Sequence, residues 1–171
     1  LITQTNSDVV SGVSNFVALE PQLELFKKIQ PNMKKLGMIY NPGELIGVYI
    51  VNKLQQICPL YGIELVTQVL TTTADAMQVA TQLATQVDAI FISNDNTALA
   101  ALRTIINVTN KAKIPTYVSD TDAIQMGALA ALGPNQYYVG RQTGKMIVKI
   151  IKKEALEKQV EYPTQMEFFL N

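Results

Sequence analysis

The sequence has no histidine, no tryptophan and a single cysteine. Without histidine, the chain lacks the side chain that most often serves as a general base or a metal ligand, so few groups are available for catalysis. Cys58 cannot form an internal disulfide, and its place at the end of an apolar helical pattern favours a buried hydrophobic role over a reactive thiol. No apolar run reaches the ~20 residues of a membrane-spanning helix.

The chain also has no excess of charge, because 14 basic side chains balance 14 acidic ones. There is therefore no basic surplus to attract nucleic acid and no polybasic segment for a membrane surface. What the 171 residues do have is apolar content, at 48%, against 16% charged side chains. This composition predicts a buried core in a single domain, or in part of a larger protein.

Strand-like and helix-like patterns alternate from Pro31 onward. Alternation of this length predicts parallel βαβ units, and hence an α/β fold with a doubly wound parallel sheet and helices on both faces. Both ends of the chain depart from this rhythm. The first 30 residues hold a polar leader, SGVSNFV, and one helix-like segment, EPQLELFKKIQ, and at the other end a helical pattern at about 138–153 precedes a last strand-like segment. The strand patterns lie at residues 34–40, 63–70, 88–93 and 114–119, and the helical patterns at 46–62, 71–87 and 96–113.

Hydrogen-bonding side chains cluster directly after the first, third and fourth of these strand patterns. Because parallel strands all point the same way, their carboxyl ends share one edge of the sheet, where ligands of such folds bind. The clusters therefore predict a polar rim for a small molecule. The residues predicted to face the ligand are Asn41, Asn94, Asp95, Asn96, Thr97, Asp120 and Thr121.

Helix capping is the alternative explanation for each residue of this rim, because Asn, Asp, Ser and Thr all accept bonds from free backbone N–H groups. Asp75 and Asn96 can be caps, and Asp122 can be a turn residue. Glu44 can be an acid favoured by a helix dipole. The clustering of three such loops on one edge favours a ligand site over capping alone.

The composition of the rim limits its chemistry. One glycine and no lysine in these loops disfavour a phosphate site, so no nucleotide cofactor is predicted. Only Asp95 and Asp120 are expected to face each other, so no metal site is predicted either. A carboxylate among amides and hydroxyls suits an amino acid, with Asp120 or Asp95 pairing with its ammonium group.

Five stretches together resemble one family: YNPGE, DNT, SDTD, GALAALG and YYVGRQTGKM. They resemble the substrate-binding proteins of ABC transporters, in the subgroup associated with aromatic amino acids such as tryptophan or phenylalanine. The resemblance covers residues 11–171 and implies a type I periplasmic binding protein fold, in which two α/β lobes close over a ligand without catalysis. Asn94 departs from the pattern, because relatives more often have Thr there, which leaves the specificity open.

The resemblance also implies a division of the chain between two lobes. Since family members are nearly twice as long, the chain is expected to be a C-terminal portion, containing mainly the second lobe. Residues 1–34 would end the first lobe and lead in with a helix, and residues 35–122 would form the second-lobe α/β domain. Residues 123–156 would cross to the first lobe and give it a helix, and residues 157–171 would return as a final strand.

The resemblance implies that the protein captures a solute for an ABC importer, and an amino acid is the ligand that the rim favours. Its partners would be the small ligand and a membrane permease, and its location would be extracytoplasmic. The alternative is a ligand-sensing domain of a regulator or receptor on the same fold. Tyr137 and Tyr138 would either wall the cleft or pack at a helix start, and Arg141 would either contact a carboxylate or remain solvated.

Overall fold

A six-stranded sheet forms the centre of the structure, a computed structural model that describes residues 10–171. The strands are β1 (Gly12–Val13), β2 (Lys35–Tyr40), β3 (Glu64–Val69), β4 (Ala89–Ile92), β5 (Thr116–Val118), β6 (Ala130–Pro134), β7 (Val160–Glu161) and β8 (Met166–Leu170). The order in the main sheet is β3-β2-β4-β5-β6-β8. Adjacent strands of this sheet run parallel to each other, except that β8 is antiparallel to β6. β1 and β7 form a separate parallel pair.

Helices cover both faces of the main sheet. They are α1 (Leu19–Ile29), α2 (Leu45–Ile57), α3 (Ala76–Ala84), α4 (Asn96–Ala100), α5 (Leu102–Ala112) and α6 (Gln136–Ile151). Side chains alternate along the central strand β4, so that Phe91 packs with α1 and α2 while Ile90 and Ile92 pack with α3, α4 and α5. The predicted α/β, doubly wound fold is therefore confirmed. None of the helices within residues 10–171 has the length and hydropathy to cross a bilayer.

An aromatic cluster attaches α1 to the sheet. The ring of Phe26 stacks on that of Tyr117 with centroids 4.2 Å apart, and lies 5.4 Å from the ring of Phe91. All three side chains are buried, and burial raises the pKa of Tyr117 to about 12. Cys58 is buried in the same core, where desolvation raises the pKa of its thiol to about 11, in agreement with the hydrophobic role predicted for it.

The structure differs from the predicted domain boundaries at β6. Residues 123–156 were expected to leave the sheet, but Ala130–Pro134 lie within it, between β5 and β8. Four of its five residues are Ala, Gly or Pro, which are depleted in strands and therefore gave no strand signal. Small size is what the position needs, because a Cβ at Gly133 would collide with the backbone carbonyl of Ser119. The part of the 1–34 segment before residue 10 lies outside the described residues.

Helix boundaries also differ from the predicted ones in detail. The helix expected over 96–113 is divided at Ala101, whose φ of −95° and ψ of 2° leave the helical region, so that α4 and α5 are separate. The helix expected at about 138–153 begins two residues earlier, at Gln136, because the side chain of Asn135 caps it by accepting from the N–H of Tyr138.

We expect Phe26→Ala to lower the free energy of unfolding by about 3–5 kcal/mol, because it removes a ring stacked in a closed aromatic cluster. Urea denaturation gives the value. Leu60→Ala is the control, since Leu60 is 80% exposed, and it should change stability by no more than ~0.5 kcal/mol. Equal, small effects of both substitutions would show that α1 is not held by this cluster.

Candidate functional site

The three polar loops predicted as a rim do lie on one edge of the sheet. β2, β4 and β5 are adjacent and parallel, so the loops after them meet at their carboxyl ends. The structure gives the rim residues different roles. Some bind the loops to each other and some face an open cavity, while Asn96 does both and Thr121 does neither.

Asp95 belongs to the first group, contrary to the prediction that it faces a ligand. Its side chain is fully buried, and its two carboxylate oxygens accept from the backbone N–H groups of Asn41, at 2.8 Å, and Ala98, at 2.9 Å. Burial raises the pKa of Asp95, the two backbone bonds oppose that rise, and the charge of nearby Glu44 adds to it. Asp95 therefore caps α4 and joins it to the loop after β2.

Glu44 makes a second connection between the same two loops. Its Oε2 accepts from the backbone N–H of Asn96 at 2.9 Å and from the Asn96 side-chain amide at 2.8 Å. Its Oε1 accepts from the backbone N–H of Thr97 at 3.0 Å and from the Thr97 hydroxyl at 2.7 Å. Desolvation raises the pKa of Glu44, but these four bonds outweigh it and hold the pKa below the ordinary 4.5.

Asn41 completes this network, which we call the loop clamp and define as Asn41, Glu44, Asp95 and Thr97. The Asn41 side chain donates to the Thr97 hydroxyl at 2.9 Å and accepts from the backbone N–H of Gly43 at 2.9 Å. The clamp is so close to α2 that a Cβ at Gly47 would lie 2.6 Å from Asp95 Oδ2. The sequence predicted Glu44 only as an acid near a helix start. The available signal for its contact with the loop after β4 was its position in the NPGE turn, on the same edge of the sheet.

A cavity of about 580 Å³ opens beside the clamp, between the carboxyl edge of the sheet and the β1–β7 pair. Of the predicted ligand-facing residues, Asn94, Asn96 and Asp120 line it. Asn41, Asp95, Thr97 and Thr121 do not, because the first three are engaged in the loop clamp and Thr121 is buried. The other lining residues are Gly12, Val13, Ser14, Asn15, Phe16, Ile46, Leu99, Ser119, Asp122, Gln136 and Val160.

Two carboxylates reach this cavity. Asp120 is partly exposed, and its Oδ1 accepts from the backbone N–H of Asp122 at 3.0 Å, which fixes the turn after β5. Asp122 is exposed and also lines the cavity, although it was expected to be only a turn or cap residue. The cavity therefore has an acidic end that holds Asp120 and Asp122 but not Asp95.

The wall facing the sheet edge comes from residues 12–16, which sequence reasoning treated as a polar leader. Asn15 accepts two hydrogen bonds from other parts of the chain. Its backbone carbonyl accepts from the Asn94 side chain at 3.2 Å, and its Oδ1 accepts from the Gln136 side chain at 3.1 Å. Phe16 adds an aromatic surface, and its ring meets that of Tyr49 edge to face with centroids 5.7 Å apart. A lone aromatic within a polar stretch was the available signal for this wall.

Tyr137, Tyr138 and Arg141 are not part of the lining. The two tyrosine rings pack edge to face with centroids 5.3 Å apart, and the Arg141 guanidinium lies 5.8 Å from the centre of the Tyr137 ring. Their packing at the start of α6 agrees with the structural alternative given for the tyrosines. Within residues 10–171 the structure contains no group of three or more Cys, Asp or Glu side chains placed to hold a metal ion.

The cavity lies at the carboxyl edge of a doubly wound sheet, where ligands of such folds bind. The α/β architecture matches that of type I periplasmic binding proteins. A sequence profile of ABC transporter substrate-binding proteins matches residues 1–171, and the chain belongs to that family. The family is one of substrate-binding proteins rather than enzymes, as the sequence predicted.

Individual relatives agree with this assignment. The tyrosine-binding protein of Clostridioides difficile (strain R20291) is 26% identical over 147 residues, which are 86% of this chain and 43% of the relative. A conserved domain protein of Vibrio cholerae O1 biovar El Tor N16961 is 30% identical with a TM-score of 0.84, over 94% of this chain and 55% of that one. An ABC domain of Streptococcus pneumoniae, solved with L-Trp, is 28% identical with a TM-score of 0.83, over 94% and 56%. The chain thus spans about half the length of these relatives.

We expect Glu44→Gln to lower the free energy of unfolding near pH 7 by about 1 kcal/mol, because the amide N–H₂ would face donors that the carboxylate now accepts from. The folded-state pKa of Glu44 lies below 4.5, so its stabilisation is complete above that pH and is lost as the pH falls through the folded pKa. Urea denaturation of both proteins near pH 7 and at about pH 3 should therefore show the difference shrinking in acid.

The matched control for this prediction is Glu64→Gln, which removes an exposed carboxylate 3.3 Å from Lys35. It should change stability near pH 7 by less than ~0.5 kcal/mol. A Glu44→Gln effect that stays constant from neutral to acid pH would contradict the role given to the ionised carboxylate.

Proposed function

We propose that the chain is part of the solute-binding component of an ABC importer and that its cavity binds an amino acid, most favourably an aromatic one. The proposal depends on the placement of Asp120 at the cavity, which the amide side chains of Asn94 and Asn96 also line. Asp95 is fully buried in bonds to Asn41 and Ala98 and does not line the cavity, which leaves Asp120 as the carboxylate for the ligand in this proposal.

The cavity offers complementary surfaces for each part of an amino acid. Asp120 supplies a carboxylate for the ammonium group, which gives a charge-assisted hydrogen bond. Amide groups of Asn94, Asn96 and Gln136 can orient the ligand, and Phe16 offers a ring against which an aromatic side chain can pack. A volume of about 580 Å³ is in the usual range for small-molecule sites.

The relatives support an amino acid as the ligand class. One is named a tyrosine-binding protein, and another was solved in complex with L-Trp. Their sequences are 26% and 28% identical to this chain. We therefore propose the class of ligand from them and leave the particular amino acid to experiment. Asn94, where relatives more often have Thr, lies on the cavity wall, so this difference can alter which amino acid fits.

We further propose that α6 belongs to the other lobe of the complete protein. One side of α6 packs through Met146, whereas Ile147, Val148 and Ile151 are half or more exposed, which leaves an uncovered apolar face. Relatives are nearly twice the length of this chain, so a first lobe of that size would cover this face. We also propose that the two lobes close over the cavity and that the protein delivers its ligand to a membrane permease. Its proposed location is extracytoplasmic.

We expect the complete protein to be stabilised by one or a few amino acids, and Asp120→Asn to abolish that response. A ligand at ~100 times its Kd adds about 2.7 kcal/mol to the stability of the folded state. Thermal unfolding against a panel of amino acids, sugars and nucleotides measures this directly, with L-tyrosine and L-tryptophan as the first members to test.

Asp75→Asn is the matched control, because Asp75 is exposed after β3 on the same edge of the sheet and does not line the cavity. It removes the same charge and should leave the ligand response intact. Stabilisation by a sugar or nucleotide but by no amino acid would overturn the proposed ligand. An unchanged response in Asp120→Asn would overturn the proposed role of Asp120.

A further inference from the structure

We propose that Gln22, on α1 and outside the cavity, is a positioning residue that fixes the two walls of the cavity relative to each other. This inference deepens the proposed function and rests on it for the consequence for ligand binding. Gln22 is 1% exposed, although amide side chains are mostly found at protein surfaces. A buried amide is stable only when its donors and acceptor are satisfied, so its partners show what it does.

The first partner lies on the sheet side of the cavity. The hydroxyl of Ser119 donates to Gln22 Oε1 at 2.9 Å, in a bond between two buried side chains. Ser119 follows β5, lines the cavity and immediately precedes Asp120. The amide oxygen of Gln22 therefore fixes the start of the turn that carries the acidic end of the cavity.

The other partners directly follow the opposite wall, residues 12–16. Gln22 Nε2 donates to the backbone carbonyls of Val17, at 3.4 Å, and Ala18, at 3.2 Å. These carbonyls follow Phe16, the last residue of the 12–16 wall. One side chain thus joins Phe16 and its neighbours to Ser119 and Asp120, although the two walls are about 100 residues apart in sequence.

Stabilisation of α1 alone does not account for this arrangement. α1 is held to the sheet by Leu23 and Phe26, which are buried one turn or less beyond Gln22. A residue serving only the helix would need no bond to Ser119, and an apolar side chain would fill the same space. One of the three bonds goes to Ser119, which lines the cavity, and the other two go to the residues that directly follow Phe16 of the opposite wall.

Hydrogen–deuterium exchange of the ligand-free protein tests this directly with Gln22→Met, which keeps the length of the side chain and removes its hydrogen bonds. We expect about tenfold faster exchange in peptides covering residues 10–18 and 117–123, where the N–H groups of Phe16, Ser119 and Asp122 report on the walls. Residues 23–29 of α1 should keep their wild-type exchange. Gln78→Met, at an exposed position of α3, is the control and should change neither wall.

Ser119→Ala breaks the same bond from the other side without altering α1, so it serves if Gln22→Met fails to fold. It should accelerate exchange over residues 117–123. Faster exchange confined to α1 in Gln22→Met, or unchanged exchange over both walls in either variant, would overturn the positioning role.

Ligand binding supplies the second arm of the test. If L-tyrosine or L-tryptophan binds the wild-type complete protein, its Kd should rise about tenfold in Gln22→Met and stay unchanged in Gln78→Met. An unchanged Kd would show that the walls need no such positioning. If neither amino acid binds the wild type, the proposed ligand is wrong, whereas the exchange result still decides the role of Gln22.

Discussion

The buried carboxylate of Asp95 is the constraint on which the cavity depends. A carboxylate without solvent is costly unless donors satisfy it, and here the donors are backbone N–H groups from two different loops. Satisfying Asp95 therefore brings the loop after β2 against the start of α4. Glu44 reinforces the same contact from the other side, and Gly47 provides the room that the contact needs. Burial of one charge thus fixes the position of two loops.

The loop clamp determines which polar groups remain for a ligand. Asn41, Asp95 and Thr97 use their hydrogen-bonding atoms within the protein, so the sheet edge presents Asn94 and Asn96 from one loop and Asp120 and Asp122 from the next. Capping and ligand binding are therefore not exclusive explanations of these loops. The capping residue Asp95 and its partner Glu44 bond the loops to each other, and neighbouring residues of the same loops face the cavity.

Sequence patterns predicted the sheet well where the strands are buried on both faces, as in β2 and β4, because their apolar runs are continuous and bounded by polar residues. β6 was missed because its alanines and glycine carry little strand signal. The polar loops were placed on the correct edge, but the burial of Asp95 was not predicted, since spacing along the chain does not show whether the carboxylate after β4 or the one after β5 turns inward. The wall of residues 12–16 was missed because only the folded chain brings it opposite β5.

In the proposed site Asp120, and not Asp95, pairs with the ammonium group of the ligand. A crystal structure of the complete protein with bound L-tyrosine or L-tryptophan tests it most directly. We expect the ammonium nitrogen within about 2.7–3.2 Å of an Asp120 carboxylate oxygen, with Asp95 still bonded to Asn41 and Ala98. An amino acid bound with its ammonium on Asp95, or bound away from the cavity that Asp120 lines, would contradict it.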